Sequence, residues 1–373
     1  MTLNPSRLSV ARRRRGLSKR ELGELTSLSD RSLVFYERGE RVPSAETVNR
    51  LAGALEFPVE FFEKPDIEYV SSDAVSFRAL TKMSAAQRDR ALAGGDLGVE
   101  LSSWLDGQFD LPESTLPDLR LQGDPEAAAM ALRSRWGLGD KPISTMVGLL
   151  EANGVRVFSL AEQVRELDAF SFWHGDQPFI FLNSAKSGER SRFDAAHELG
   201  HLVMHHHGQP SGREAEREAD AFASSFLMPR SSVITYAPHI PAIERLIEAK
   251  VFWKVSVAAL AHRLHTVGIV SEWTYRNLAI EIQQKGFRVQ EPETIPREMS
   301  VMLQEVFAQL REEGKGRPEI AQSLAWPVAE LDALTFQLAL TVVQGSNRKE
   351  PGPKPARDKA AKSGGSDHLR VVG

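Results

Sequence analysis

The sequence predicts a mainly α-helical protein (α+β) with one small antiparallel sheet of three strands. Three observations carry this. The first sixty residues hold five short helical stretches separated by polar or glycine joints. Three short β-rich runs follow one another between residues 155 and 182, bounded by turn residues. Most of the remaining chain shows apolar residues at helical spacing, punctuated by Pro and Gly.

Composition narrows the class. The 373 residues are enough for two to three domains, and a 42% hydrophobic share is ordinary for a chain that buries a real core. Cysteine is absent, which excludes both a disulfide framework and a thiolate metal site and suits a reducing cytosol. Any metal site must therefore use nitrogen and oxygen. No apolar run approaches the roughly 18 residues of a membrane span, and the start lacks a hydrophobic signal core, so a cytoplasmic protein with no membrane partner is expected. Charge is uneven: residues 1–50 carry 11 Lys and Arg against 6 Asp and Glu, and residues 346–373 carry 7 against 3, in a chain of net charge −4. The densest basic run, Arg12 to Arg15, lies in the front helices and supports nucleic-acid binding there.

The front helices are expected over 8–15, 18–25, 29–37, 44–55 and 59–62. A helix over 84–105 and a Pro-bearing stretch through Pro112 and Pro117 come next, then helices over 125–136 and 144–153. Strands are expected over 155–158, 169–173 and 178–182, with His174-Gly175-Asp176-Gln177 as a hairpin loop. In such a sheet, residues 179–183 are the first choice for an edge strand that holds an extended peptide by main-chain hydrogen bonds, against the plainer reading of a buried strand.

The next helix carries the most informative feature, His197-Glu198-Leu199-Gly200-His201. Positions i and i+4 share a helix face, so both imidazoles reach one metal ion while Glu198 stands beside the remaining coordination position. Ser191, with Asp194 three residues on, reads as the cap, which starts the helix near Arg192; Gly208 ends it. Gly200 costs roughly 1 kcal/mol against alanine in a helix interior and implies that another backbone passes close by.

Water-activating zinc normally keeps three protein ligands, so a third is needed downstream. The helical segment 214–228 supplies it. Glu216 can ligate the metal, and one turn on, Asp220 can accept the second ring N–H of a ligating histidine. Glu214 and Glu218 read as a solvated face. His205 is either a fourth ligand or an outer residue, with the outer role preferred, and His206 and His207 read as a solvated helix end. Tyr236 and His239 are oxyanion-stabilising candidates on sequence proximity alone.

Phe193-Asp194-Ala195-Ala196-His197-Glu198-Leu199-Gly200-His201, followed by Glu216-x-x-Ala219-Asp220-x-Phe222-Ala223 and Leu227-Met228-Pro229, resembles the ImmA/IrrE metallo-endopeptidases. The resemblance implies a zincin-like helical domain with Zn2+ held by His197, His201 and Glu216, and with Glu198 as general base. Members of that family cut repressor proteins and so switch genes on. At the front, Ser18-Lys19-Arg20-Glu21-Leu22-Gly23-Glu24-Leu25 and Ser29-Asp30-Arg31-Ser32-Leu33-Val34-Phe35-Tyr36-Glu37-Arg38-Gly39 resemble the helix-turn-helix of XRE/Cro-type repressors. That resemblance turns Lys19, Asp30, Arg31 and Phe35 toward double-stranded DNA and Leu22, Leu33 and Tyr36 toward the core. Asp30 departs from the basic pattern, although an acid can accept from a cytosine amine.

After Pro229, helices are expected over 242–250, 257–264 and 271–285. Amphipathic helices continue within 297–345, where 318–324 followed by 328–343 hints at a second helix-turn-helix. The domain plan is then a helix-turn-helix DNA-binding domain (1–65), a helical connecting region (66–120), a zinc metallopeptidase domain (121–285), a helical accessory or dimer module (286–345) and a disordered basic tail (346–373). The reading that follows is a DNA-binding transcriptional regulator carrying a zinc endopeptidase that cleaves a regulatory protein such as a repressor. One alternative is a transcription factor whose peptidase-like domain is a non-catalytic sensor; another is an antitoxin-like module that binds a protein partner. A homodimer is in keeping with paired half-sites on DNA.

Overall fold

A computed structural model describes residues 3–71, 83–160, 167–183, 185–205, 212–238, 242–336 and 370–371. His206, His207, Gly208 and His239 lie outside them, as do residues 337–343 of the last expected helix and residues 346–369 of the tail.

The front of the chain folds into α1 (Pro5–Arg14), α2 (Lys19–Thr26), α3 (Asp30–Glu37), α4 (Ala45–Leu55) and α5 (Val59–Glu63). Serines set three of the starts: Ser18, Ser29 and Ser44 each accept a backbone N–H from the first turn, and Glu21 completes a capping box with Ser18. Between α2 and α3 the chain turns through Ser27 at φ +53°. Gly23 has to be small there, because a Cβ would stand 2.6 Å from the Leu28 carbonyl oxygen. Leu22, Leu33 and Tyr36 are buried, as the resemblance implies.

The long α6 (Ala85–Asp106) leads through β1 (Phe109–Asp110), α7 (Pro125–Arg135) and α8 (Met146–Ala152) to β2 (Arg156–Leu160), β3 (Ala169–His174) and β4 (Gln177–Asn183). Then come α9 (Gly188–Met204), α10 (Arg213–Leu227), α11 (Arg230–Tyr236), α12 (Ile243–Trp253), α13 (Val257–Val267) and α14 (Glu272–Gln284). The described chain closes with α15 (Val301–Glu312), α16 (Arg317–Leu324), α17 (Val328–Leu334) and β5 (Arg370–Val371), which pairs antiparallel with β1.

Helices dominate and the sheet is small, but the sheet is mixed where an antiparallel one was expected. Its order is β2-β4-β3, with β3 antiparallel and β2 parallel to β4. Apolar alternation reports which face a side chain takes and not which way the neighbouring strand runs. The cue was the unbroken apolar run of β4, typical of a strand buried on both faces. The central place of β4 also removes residues 179–183 as an edge strand.

The two faces of the sheet serve two cores. Phe158, Phe170, Phe172, Phe179 and Phe181 form one face, packed in a common core with the front helices, α6 and α15 to α17. Val157, Ala169, Ile180 and Leu182 form the other, packed with α9, α10 and the helices after them. Alpha6 comes down onto the phenylalanine layer because it offers glycine there: a Cβ on Gly98 would lie 2.5 Å from the Phe181 ring.

The basic run Arg12 to Arg15 is turned inward, a correction to its reading as a DNA-facing patch. Arg12 grips Glu37 on α3, and Arg13 reaches Asp96 on α6 at 2.6 Å. Arg14 and Arg15 both hold Glu330 on α17, Arg14 at 2.6 Å. Burial works against charge on Glu330, yet the two guanidiniums outweigh it and keep its carboxyl below the usual range. Glu100 on α6 adds a second bridge, accepting from Arg7 at 2.8 Å and from Trp326 Nε1 at 3.1 Å. Four buried or half-buried arginines thus spend their charge on internal acids, because the acids lie on elements packed against α1.

Helices α16 and α17 share two local features with α2 and α3. Both pairs begin with an eight-residue helix, and Ala325 turns at φ +55° where Ser27 turns at φ +53°. The second helix of this pair is nonetheless packed inside the protein, with Glu330, Leu331 and Leu334 buried. Replacing Glu330 with alanine would leave Arg14 charged, buried and without its acid, so Glu330→Ala should cost about 3–5 kcal/mol of stability in guanidinium unfolding. A stability within about 0.5 kcal/mol of wild type, the range of neutral surface changes, would show the clamp to be idle.

Candidate metal centre

Two helices build the site. Alpha9 begins one turn earlier than its sequence suggests: Ser187, and not Ser191, is the cap, accepting from Arg190 N at 3.2 Å. The first turn can start there because Gly188 is pressed against the 295–296 backbone, where a Cβ would stand 2.6 Å from the Ile295 carbonyl oxygen. The helix ends at Met204, with His205 as its C-cap residue. Alpha10 crosses α9 at the expected glycine: a Cβ on Gly200 would meet Phe222 at 3.0 Å and the Ala219 Cα at 3.3 Å. That near-contact of backbones brings Glu216 opposite the two histidines.

His197, His201 and Glu216 converge as the sequence predicts. One nitrogen or oxygen from each falls within 4.8 Å of the other two. His197 Nε2 and His201 Nε2 are 3.1 Å apart, and the Glu216 oxygens lie 3.6 Å from the first and 3.5 Å from the second. Ligands at about 2.1 Å around a tetrahedral ion are separated from one another by about 3.4 Å, so this donor set fits one small divalent cation.

The outer nitrogens are held too. His197 Nδ1 bonds Asp220 at 2.9 Å. His201 Nδ1 bonds His205 Nδ1 at 2.9 Å, and His205 Nε2 bonds Glu218 at 2.9 Å. If His201 donates to His205 and His205 to Glu218, every proton has an acceptor and both inward nitrogens keep a lone pair for a metal. Burial lowers the His205 pKa and so favours the neutral ring this chain needs. Burial also opposes charge on His197, but its bonds to Asp220 and Glu216 prevail and lift its pKa to about 10. Glu216 shows the reciprocal effect, its carboxyl drawn down by the two imidazoles against the opposing pull of burial. The pocket is thus arranged around positive charge.

His205 stands outside the triangle of donors and contacts it through His201, while Glu218, expected on a solvated face, pairs with His205. Glu198, buried next to His197, receives a hydrogen bond from Ser171 on β3 at 2.6 Å. Sequence reasoning missed Ser171, whose one available signal was strand alternation that puts it on the same side as Ala169 and Trp173. Tyr236 is 60% exposed, with its ring against Phe252.

Residues 150–265 match the family model described as the IrrE N-terminal-like domain of peptidase class M78, and residues 8–62 match the one described as helix-turn-helix. The chain joins a helix-turn-helix domain to an IrrE-like peptidase domain. The first match spans the whole sheet, α9 and α10, and hence every residue of the candidate centre. No curated protein matches the chain.

On the helix-turn-helix domain, Asp30 and Arg31 are exposed at the start of α3, and the Arg31 guanidinium lies 5.3 Å over the half-buried Phe35 ring. Lys19 is half-buried and pairs with Glu37 at 3.0 Å. Among the described residues no helix is long and apolar enough to cross a membrane.

The helix crossing is the mechanical condition for the centre. Gly200→Val should push α10 away from α9, lower the melting temperature and weaken divalent-ion binding at least tenfold in a competition titration, the scale on which displaced ligand supports act. Unchanged metal affinity would mean that the glycine contact does not set the position of Glu216.

Proposed function

We propose that the protein is a zinc-dependent endopeptidase that cleaves a regulatory protein, such as a repressor, and that its helix-turn-helix domain binds double-stranded DNA. The observation that carries the enzymatic reading is the triangle of His197, His201 and Glu216, with separations of 3.1 to 3.6 Å, next to the buried carboxylate of Glu198. A triangle of this size suits zinc bound to nitrogen and oxygen, and zinc in such a site supplies Lewis acidity and brings the pKa of water toward neutrality. A purely structural domain has no use for Glu198, which ligates nothing.

In this reading Glu198 accepts a proton from the attacking water and returns it to the leaving amine, so hydrolysis needs no covalent intermediate. Asp220 orients His197, while the His205–Glu218 pair orients His201. The peptide itself lies along β3, which among the described residues is paired on one side only and runs beside α9. Main-chain hydrogen bonds to that edge hold a substrate extended, whatever its side chains. At the front of the chain, Arg31 and Phe35 present the recognition surface, with Asp30 at the helix start and Lys19 on the flank. Because the front helices share a core with the sheet, DNA-bound protein and peptidase site keep a set distance, unlike two domains on a slack tether.

Co-expression with candidate repressors, with and without a chelator, tests the whole reading by the appearance of one specific fragment. Glu198→Gln is expected to retain bound zinc while cleavage falls at least 10² to 10⁴-fold, the typical worth of a general base; cleavage at the wild-type rate would sink the assignment. Arg31→Ala should weaken specific DNA binding by about 1–3 kcal/mol in a salt series. Affinity that stays the same at every salt concentration would remove Arg31 from the interface.

A further inference from the structure

We infer that Ser171 is a positioning residue for Glu198, an assignment that rests on the peptidase reading. Its Oγ donates to Glu198 Oε2 at 2.6 Å, the length of a charge-assisted bond from a hydroxyl to a carboxylate, and both residues are buried. The same oxygen lies 3.4 Å from the Glu198 carbonyl oxygen, so its single proton goes to the nearer carboxylate. A glutamate carboxylate turns freely about its last side-chain bond, where the torsional preference is broad. With Oε2 held, Oε1 is the oxygen left to exchange a proton, and the plane of the carboxylate is set by a strand and not by solvent.

The strand gives that hydroxyl a fixed origin. Phe170 and Phe172, on either side of Ser171, point to the opposite face, where their rings stack on Phe181 at 4.7 Å and on Phe179 at 5.1 Å. Two residues along on the α9 side, Trp173 Nε1 donates to the Leu202 carbonyl oxygen at 3.1 Å. Beta3 is therefore fastened on both faces, and a slip of one residue would carry the serine to the wrong side of the sheet. A serine serving only to satisfy the α9 backbone would put its short bond on the carbonyl. Here the short bond goes to the carboxylate.

The test compares wild type, Ser171→Ala and Ser171→Thr, each with measured zinc content, on a library of fluorescence-quenched peptides. Ser171→Ala should lower kcat about tenfold while KM and zinc affinity stay near wild type, and Ser171→Thr, which keeps the hydroxyl, should recover most of the loss. A crystal structure of the alanine variant should show the Glu198 carboxylate in more than one orientation. A wild-type kcat in Ser171→Ala, or a folded Ser171→Thr as impaired as the alanine variant, overturns the assignment. So does a loss that appears in KM or zinc affinity alone. If the wild-type protein cuts no peptide, the peptidase reading falls and takes this inference with it; if the wild type cuts and the alanine variant cuts equally well, only the inference falls.

Discussion

The candidate centre exists because two helix backbones come closer than side chains normally allow. Gly200 on α9 faces Ala219 and Phe222 on α10, and a side chain at Gly200 would occupy the space they fill. This contact determines where Glu216 sits, since that residue lies one turn before Ala219 on the same helix. His197 and His201 would share a face of α9 in any context. Whether they gain a third donor is decided by the crossing. The same crossing brings Asp220 to His197 and Glu218 to His205, so both outer supports of the donor set follow from one small residue.

The sheet then ties this centre to the rest of the molecule. One face carries five phenylalanines and joins the core of the front helices; the other faces α9 and carries Ser171 to Glu198. A three-stranded sheet buried on both faces has little freedom to shift, because moving it would open apolar surface in two cores at once. The helix-turn-helix domain is attached on the phenylalanine side, through the glycine-lined contact of α6 and through Arg13, Arg14 and Arg15. The densest part of the charge that composition would assign to a nucleic-acid surface, Arg12 to Arg15, is consumed inside the protein. On α3, Asp30 and Arg31 are the exposed residues, and Phe35 is half-buried.

Much of this was legible beforehand, for identifiable reasons. Serines before apolar runs marked the starts of the front helices, since a cap bond is local and depends on no distant partner. The i, i+4 histidines and the glutamate between them were readable because helix geometry alone relates them. Glu216 and Asp220 were readable as one turn of a second helix, although their meeting with the first needed the fold. The direction of β2, the true cap at Ser187 and the inward turn of the arginines were not legible. Each depends on what packs against the segment: residues 295–296 against Gly188, Glu330 and Asp96 against α1, and β2 beside β4.

By itself the sequence determined the short-range features: which segments are helical, which histidines share a face, which acids stand a turn apart, and the absence of any thiol to bind a metal. Those follow from backbone periodicity and side-chain chemistry within a few residues. The tertiary structure alone decided which carboxylate meets which ring, that Ser171 reaches Glu198 across 27 residues of chain, and that Arg14 spends its charge on Glu330 across 316. The physical reason is that hydrogen bonds and ion pairs act over about 3 Å, and only the packing of two separate cores against one sheet brings such distant residues within that range.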